Sequence, residues 1–262
     1  MNTFPLVYTV LLNFNSAEDT INCIESINKI TYPNIKIVVV DNNSSDNSVE
    51  FLKSSDINFK LILSKDNFGY AKGNNLGIKY ALEDSAEYIC ILNSDVEVEE
   101  SFLEPIIKLL SENNETGIAG PCICDFENKD RVQSLGAYIN LYTGLAMGRN
   151  KGSLYSSINE SIIDVDYLGG ACFVCKKEVF EKIGLIPEIY FLFYEETEFC
   201  LKAKHQGYSL KCIPESRVYH KGSATISKYN GLSYYFLNRN RIIFMKRNAD
   251  LLHKIIFALY LP

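Results

Sequence analysis

The chain is short of positive charge. Its 26 lysines and arginines are outnumbered by 32 aspartates and glutamates, for a net charge of −6. That balance argues against a general nucleic-acid binder, whose footprint is basic. It lacks any long apolar run: the stretch 255–261 falls far short of the roughly 20 residues a membrane-spanning helix needs. No basic region followed by a long apolar one opens the chain, so no signal peptide is expected. Its eight cysteines are scattered through apolar segments, where free cysteine behaves as a small hydrophobe. A single C-x-x-C, Cys172 and Cys175, stands where a zinc ribbon needs two. Reduced thiols without an export signal point to the cytosol. Two phosphate motifs are also missing. Asn74 follows Gly73 where a P-loop needs lysine, and there is no G-x-G-x-x-G, which disfavours a dinucleotide dehydrogenase. Linker-like bias and internal repeats are absent too.

What is present is core material. With 262 residues and 47% hydrophobic content, one large α/β domain or two small ones can form. Apolar, β-branched runs at 6–12, 35–40, 59–63 and 88–92 read as buried strands. Helical periods follow after Ser16, where Ile21, Ile24 and Ile27 recur, and at 47–53, 71–82 and 101–111. Continuous apolar strands alternating with helices predict a parallel sheet with helices on both faces. Ser16 is placed to cap the first helix. Another strand is expected at 117–124, hairpins and a mobile loop over 125–163, and a short helix at 178–183 ended by Gly184. An aromatic run, 190–194, leads into a helix carrying Glu195, Glu196 and Glu198 and stopped by Gly207. A strand at 208–213 and an extended piece at 217–220 come next. From Ser233 onward, basic and apolar residues alternate. Peripheral membrane contact and a terminal helix docked on the domain with solvated basic residues are both open readings.

Each strand ends in polar residues, and ligands gather at the carboxyl ends of strands in open α/β sheets. Asn93-Ser94-Asp95, after the fourth strand, presents oxygen ligands suited to Mg2+ or Mn2+; a plain helix cap at Asp95 is the competing reading. Asp41 can accept from a nucleotide base or ribose, or simply organise the turn 41–46. Gly69 to Gly77 supplies glycine-rich backbone N–H groups able to face phosphate. Glu195 and Glu198 share a helix face while Glu196 points elsewhere. Each is a candidate general base, or a carboxylate favoured at a helix start. His220, flanked by Lys221, Gly222 and Ser223, is a candidate metal or phosphate ligand, or a surface histidine.

In order, these segments resemble family 2 glycosyltransferases of the GT-A fold, in their rhamnosyltransferase-like branch. The matching runs are Val10-Leu11-Leu12-Asn13-Phe14-Asn15, Val39 through Asp46, Asn67 through Gly77 and Leu92 through Asp95. Gly169-Gly170-Ala171-Cys172-Phe173, Phe193 through Cys200 and His220-Lys221-Gly222-Ser223 follow. The resemblance implies a GT-A-type, Rossmann-like, mostly parallel α/β sheet with flanking helices over 1–232, and a C-terminal basic amphipathic helical segment over 233–262. Nucleotide binding falls in about 1–124 and acceptor binding in about 125–232. It implies an inverting, metal-dependent hexosyl or deoxyhexosyl transfer from a UDP- or dTDP-sugar to a hydroxyl of a glycan or lipid-linked glycan, in surface polysaccharide synthesis. Asn13, Asn15, Asp41, Asn43, Asn67, Gly69, Lys72, Asn74, Asn93 and Ser94 form the implied donor-binding set. Asp95 and His220 are the implied site for Mn2+ or Mg2+, and Glu196 falls on the acceptor-deprotonating base.

Two departures stand out. Asn93 replaces the motif's first aspartate, leaving one charge fewer for the metal. Glu196 replaces the usual aspartate, moving the carboxylate about one carbon–carbon bond outward, so Glu195 and Glu198 stay open as bases. The competing functions are a nucleotidyltransferase, which wants a basic Gly-rich loop after the first strand, and a non-catalytic nucleotide-sugar-binding module.

Overall fold

A computed structural model of the chain describes residues 4–222 and 230–260. The four apolar runs form strands β1 (Val7–Asn13), β2 (Ile35–Asp41), β3 (Lys60–Leu63) and β4 (Tyr88–Asn93). β1 pairs in parallel with both β2 and β4, and β2 with β3. The helices between them are α1 (Ala17–Ile27), α2 (Ser48–Ser54) and α3 (Gly69–Glu83). Successive strand residues face opposite sides. Val10, Ile89 and Phe173 therefore pack into one core with Ile78 and Phe199, while Leu11, Val39 and Leu92 join Ile24 and Ile106 on the other face.

The sheet continues through β6 (Thr116–Asp125), with β7 (Val132–Ser134) paired beside it, and, beyond the separate hairpin of β8 (Ala137–Asn140) and β9 (Leu145–Gly148), through β10 (Ile163–Val165), β11 (Cys172–Lys176) and β12 (Ser209–His220), in the order β10-β12-β6-β11-β4-β1-β2-β3. β11 runs antiparallel between β4 and β6, whereas β12 is parallel to β6. The expected strands at 208–213 and 217–220 are one strand, whose register slips between Ile213 and Arg217. Pro214 lies in that interval and has no N–H to give the ladder. Helices α4 (Leu103–Glu112), α5 (Lys177–Ile183) and α6 (Glu195–His205) cover the faces. Cys172 and Cys175 fall in opposite cores, so the C-x-x-C thiols point to opposite sides of the sheet.

Several expectations change. The acidic residues after Asp95 do not lead straight into a helix: Val96–Val98 is a short strand, β5, antiparallel to the end of β12. Its alternating Val-Glu-Val buries the two valines. Ser16 holds the cap position of α1, but its hydroxyl makes no capping bond and donates instead to Asn13 Oδ1 at 3.3 Å. The glycines of α3 serve packing. A side chain at Gly73 would stand 2.5 Å from Leu12 Cδ1, and one at Gly77 2.5 Å from Val10 Cγ1, so both let the helix sit against β1.

The C-terminal segment is two helices, α7 (Asn230–Asn248) and α8 (Leu251–Tyr260). Its apolar residues Phe244, Met245 and Phe257 are buried with Tyr190 and Leu201. Two of its arginines are not merely solvated: Arg241 donates to Thr143 O at 2.6 Å and Arg247 pairs with Glu198. Leu251, Leu252, Ile255 and Leu259 remain exposed. No helix among the described residues is long and apolar enough to cross a membrane. Ser223 and the end at Leu261 and Pro262 lie outside the described residues.

Candidate active site

The carboxyl ends of β1, β2 and β4 open onto a cavity of about 420 Å³, walled by Ser16, Asn42, Asn67, Gly69, Tyr70, Asn93, Ser94, Asp95 and His220 among others. The register puts Asn13 beside Asp41 and Leu12 beside Asn93. Asn13 and Asp41 are fully buried below the cavity and bond to each other, Asn13 Nδ2 to Asp41 Oδ2 at 2.7 Å. Asp41 also accepts from the N–H and hydroxyl of Ser44, at 2.9 and 2.6 Å. That arrangement organises the turn, as its residue types favour. Asn15 accepts from the N–H of Ser45 at 2.8 Å, bracing the same turn.

Asn13, Asn15, Asp41, Asn43, Lys72 and Asn74 do not line the cavity. Asn43 is exposed with φ of 63°. The ammonium of Lys72 lies 3.5 Å from the Phe68 ring centroid, and Asn74 is buried, donating to Tyr70 O at 3.0 Å. Asn42 is the residue that the sequence reading passed over. Its amide donates to Asn67 Oδ1 at 2.9 Å and to Gly69 O at 3.2 Å, shaping the cavity's rim. Gly69 has φ of 77°, and a Cβ there would meet Phe191 O at 2.3 Å, so only glycine fits.

Asp95 and His220 come together because β5 pairs Val96 with His220, and Lys221 N donates to Asp95 O at 3.1 Å. Asp95 Oδ1 lies 3.3 Å from His220 Nε2. The tautomer follows from Gln133. Its Nε2 donates to His220 O at 2.8 Å and to Asp125 Oδ2 at 3.2 Å, leaving Oε1 to accept from His220 Nδ1 at 3.0 Å. With the proton on Nδ1, the Nε2 lone pair faces a carboxylate oxygen. With its Nδ1 hydrogen held by Gln133, the imidazole presents Nε2 beside the Asp95 carboxylate, and that pair of ligand types suits a divalent metal. Among the described residues no three His, Cys, Asp or Glu side chains cluster to hold a metal alone. Donor phosphate oxygens would complete such a shell, as is usual for Mg2+.

The three glutamates of α6 separate into two roles. Glu198 is buried among Arg247, Asn248, Lys202 and the Tyr190 hydroxyl, with Arg247 Nη2 at 2.9 Å and Lys202 Nζ at 3.0 Å. Burial alone would raise its carboxyl, but these donors outweigh it and hold it down at about 2. Glu195 therefore faces Glu196 electrostatically, not the Glu198 that helical spacing suggested. Burial, then the neighbouring Glu196, pushes Glu195 well up, and its Oε2 has no partner among the described residues. Burial raises Glu196 to about 7, against hydrogen bonds involving Glu195 and Tyr70. The two carboxyls are coupled, and burial together with their mutual repulsion lifts the titration of the pair above the usual carboxylate range.

Glycine makes this possible. A Cβ at Gly170 would lie 1.8 Å from Glu196 Oε1 and 2.6 Å from the Tyr70 hydroxyl, which itself donates to Gly170 O at 2.9 Å. Ahead of α6, Phe191, Phe193 and Tyr194 all take positive φ, at 70°, 68° and 77°. Such strain persists only where the surroundings fix it. The fully buried Asn240 of α7 does so, its amide donating to the carbonyls of Tyr190, Leu192 and Phe193 at 3.1, 2.7 and 3.0 Å. Phe191 and Leu192 then form a wall of the cavity, with Leu232 from the first turn of α7. The segment expected to begin at Ser233 thus starts earlier and is part of the site.

This sheet edge carries an Asp–His pair with buried carboxylates behind it, on a fold of the GT-A glycosyltransferase type. The fold superposes on a mannosyltransferase of Pyrobaculum calidifontis solved with GDP-Man and Mn2+, with a TM-score of 0.62 at 16% identity, covering 85% of this chain and 59% of that one. The model of glycosyl transferase family 2 matches residues 9–184, and the chain belongs to that family. It is 27% identical to a low-salt glycan biosynthesis hexosyltransferase, Agl10, of Haloferax volcanii, over 89% of this chain and 73% of the relative. It is also 27% identical to the dTDP-rhamnosyl transferase RfbF of Shigella flexneri, over 94% and 79%.

Proposed function

We propose that the chain moves a sugar from a UDP- or dTDP-linked donor to an acceptor hydroxyl with inversion, in the synthesis of a surface polysaccharide or glycoconjugate. The observation that carries the reading is the place of Glu196: its buried carboxylate rests against Gly170 and beside the hydroxyl of Tyr70, and Tyr70 lines the donor cavity. A base poised near the working pH is the efficient one. Glu196 takes the proton from the acceptor hydroxyl; the oxygen attacks the anomeric carbon from the face opposite the nucleotide, and the carbon–oxygen bond to the diphosphate breaks. Glu195, buried beside Glu196, disfavours a second negative charge on the pair and so makes it more basic. Asn42, Asn67 and Gly69 shape the rim where the nucleotide sits. Asp95 and His220 would hold a divalent metal, which when bound would offset the charge gathering on the departing diphosphate.

The test is thermal stability against a panel of nucleotides and nucleotide sugars with and without Mn2+ or Mg2+, since a ligand that binds only the native state raises the melting point. A metal-dependent rise with a uridine or thymidine diphosphate compound is expected. Absence of any shift across the panel contradicts the proposal.

A further inference from the structure

A second cavity, of about 710 Å³, opens on the other side of His220. It shares His220 and Lys221 with the donor cavity, and its wall includes Gly170, against which the Glu196 carboxylate rests. An acceptor here would bring a hydroxyl toward Glu196 while the donor lies across His220. At its mouth stand Arg131 and Lys151. Their positions are fixed by backbone bonds between two segments. Val132 N donates to Ser153 O at 2.9 Å and Gly152 N to Val132 O at 2.8 Å, while Arg131 Nη2 lies 3.8 Å from where a Gly152 Cβ would be.

Charge is the telling feature. Arg131 and Lys151 form no ion pair among the described residues of a chain whose net charge is −6. Lys221 is drawn away to Asp19 at 2.6 Å. Asp125, the carboxylate lining the cavity, has both oxygens engaged, by Asn128 N at 2.8 Å and Gln133 Nε2 at 3.2 Å. Asp125 keeps its charge and draws on Arg131, so the cavity sets three cations, Arg131, Lys151 and Lys221, against one lining carboxylate.

Building on the transferase reading, we infer that this second cavity is the acceptor site and that Arg131 and Lys151 select acceptors carrying an anionic group, a phosphoryl ester or a sugar carboxylate, beside the reacting sugar. A guanidinium and an ammonium separated across a rim match the spread charge of such a group.

The experiment measures dissociation constants by ligand-observed NMR for N-acetylglucosamine 1-phosphate, glucuronic acid, N-acetylglucosamine and inorganic phosphate. The protein is preloaded with UDP and Mn2+ so that the donor cavity is filled, and wild type is compared with the Arg131→Ala/Lys151→Ala variant. At low salt at least one of the two charged sugars should bind about five- to tenfold tighter than the neutral one, the size expected of two exposed charge contacts. The double variant should erase that margin while keeping its melting point and its UDP-induced shift. Whichever charged sugar holds the margin names the group. Equal affinity for charged and neutral sugars, a margin that survives in the variant, or inorganic phosphate binding as tightly as the sugar phosphate (an adventitious ion only) would each overturn the inference. Failure of UDP to shift the melting point strikes the transferase reading instead, and the charge preference is then read on the unloaded protein, where its loss or survival still decides.

Discussion

Replacing Gly170 with alanine isolates the catalytic carboxylate. The backbone at Gly170 is not in the left-handed region, so alanine adds no conformational strain, only a methyl. That methyl would stand 1.8 Å from Glu196 Oε1 and 2.6 Å from the Tyr70 hydroxyl. Restoring ordinary contact at about 3.4 Å requires the carboxylate oxygen to retreat by roughly 1.5 Å. The unbranched Glu196 side chain can reset its torsions while the Tyr70 ring must tilt, so the stability cost falls in the lower half of the overpacking range, about 1–2 kcal/mol. Catalysis has no such slack, because a displacement of about 1 Å costs on the order of a hundredfold. Release of nucleoside diphosphate from the donor that shifts the melting point would be timed for wild type and Gly170→Ala. The expected result is a kcat lowered at least a hundredfold, a nucleotide affinity unchanged within about twofold, and a melting point within a few degrees of wild type. A Gly170→Ala enzyme retaining a third or more of wild-type kcat would refute the placement of Glu196 as the base.

Asn240→Ala removes the two amide N–H donors that serve the strained carbonyls of Tyr190, Leu192 and Phe193; at about 1 kcal/mol per donor, urea unfolding should show a loss of about 2–3 kcal/mol. Because Phe191 and Leu192 line the donor cavity, calorimetry should also show weaker nucleotide binding, and unchanged affinity would mean that the loop keeps its shape without Asn240. Glu198 has the opposite linkage from Glu196. Its folded value of about 2 lies below the ordinary 4.5, so its contribution is present above pH 4.5 and is lost as pH falls toward 2. Glu198→Gln should therefore lower the melting point at pH 7 and much less near pH 3. Arg247→Met, which strands the buried Glu198 with Lys202, should cost about 2–3 kcal/mol at pH 7, below a fully buried pair because Arg247 is itself half-exposed.

The parallel strands were legible because each is a continuous apolar run, and their polar ends located the cavity. Asp95 and His220 were also visible as motifs. What brings them together was not: β5 is three residues long, and its alternating Val-Glu-Val sits in an acidic stretch that mimics a helix start. Glycines 73 and 77 looked like a phosphate cradle, yet their function depends on Leu12 and Val10, more than 60 residues away. Helical spacing grouped Glu195 with Glu198; the partner that separates them, Arg247, arrives from a distant helix. The same distance hid Asn240, an ordinary asparagine in sequence whose three acceptors sit about 50 residues upstream.

The most direct test of the account is the pH dependence of transfer by wild type and Glu196→Gln. Glu196 must be deprotonated to act, and burial has moved its folded value up to about 7. Wild-type kcat/KM should therefore rise through pH 7 to a plateau, with nucleotide binding flat over that range. Glu196→Gln should bind nucleotide as wild type does and lose transfer at every pH. A Glu196→Gln enzyme that still transfers, with the wild-type pH limb intact, would contradict the central claim.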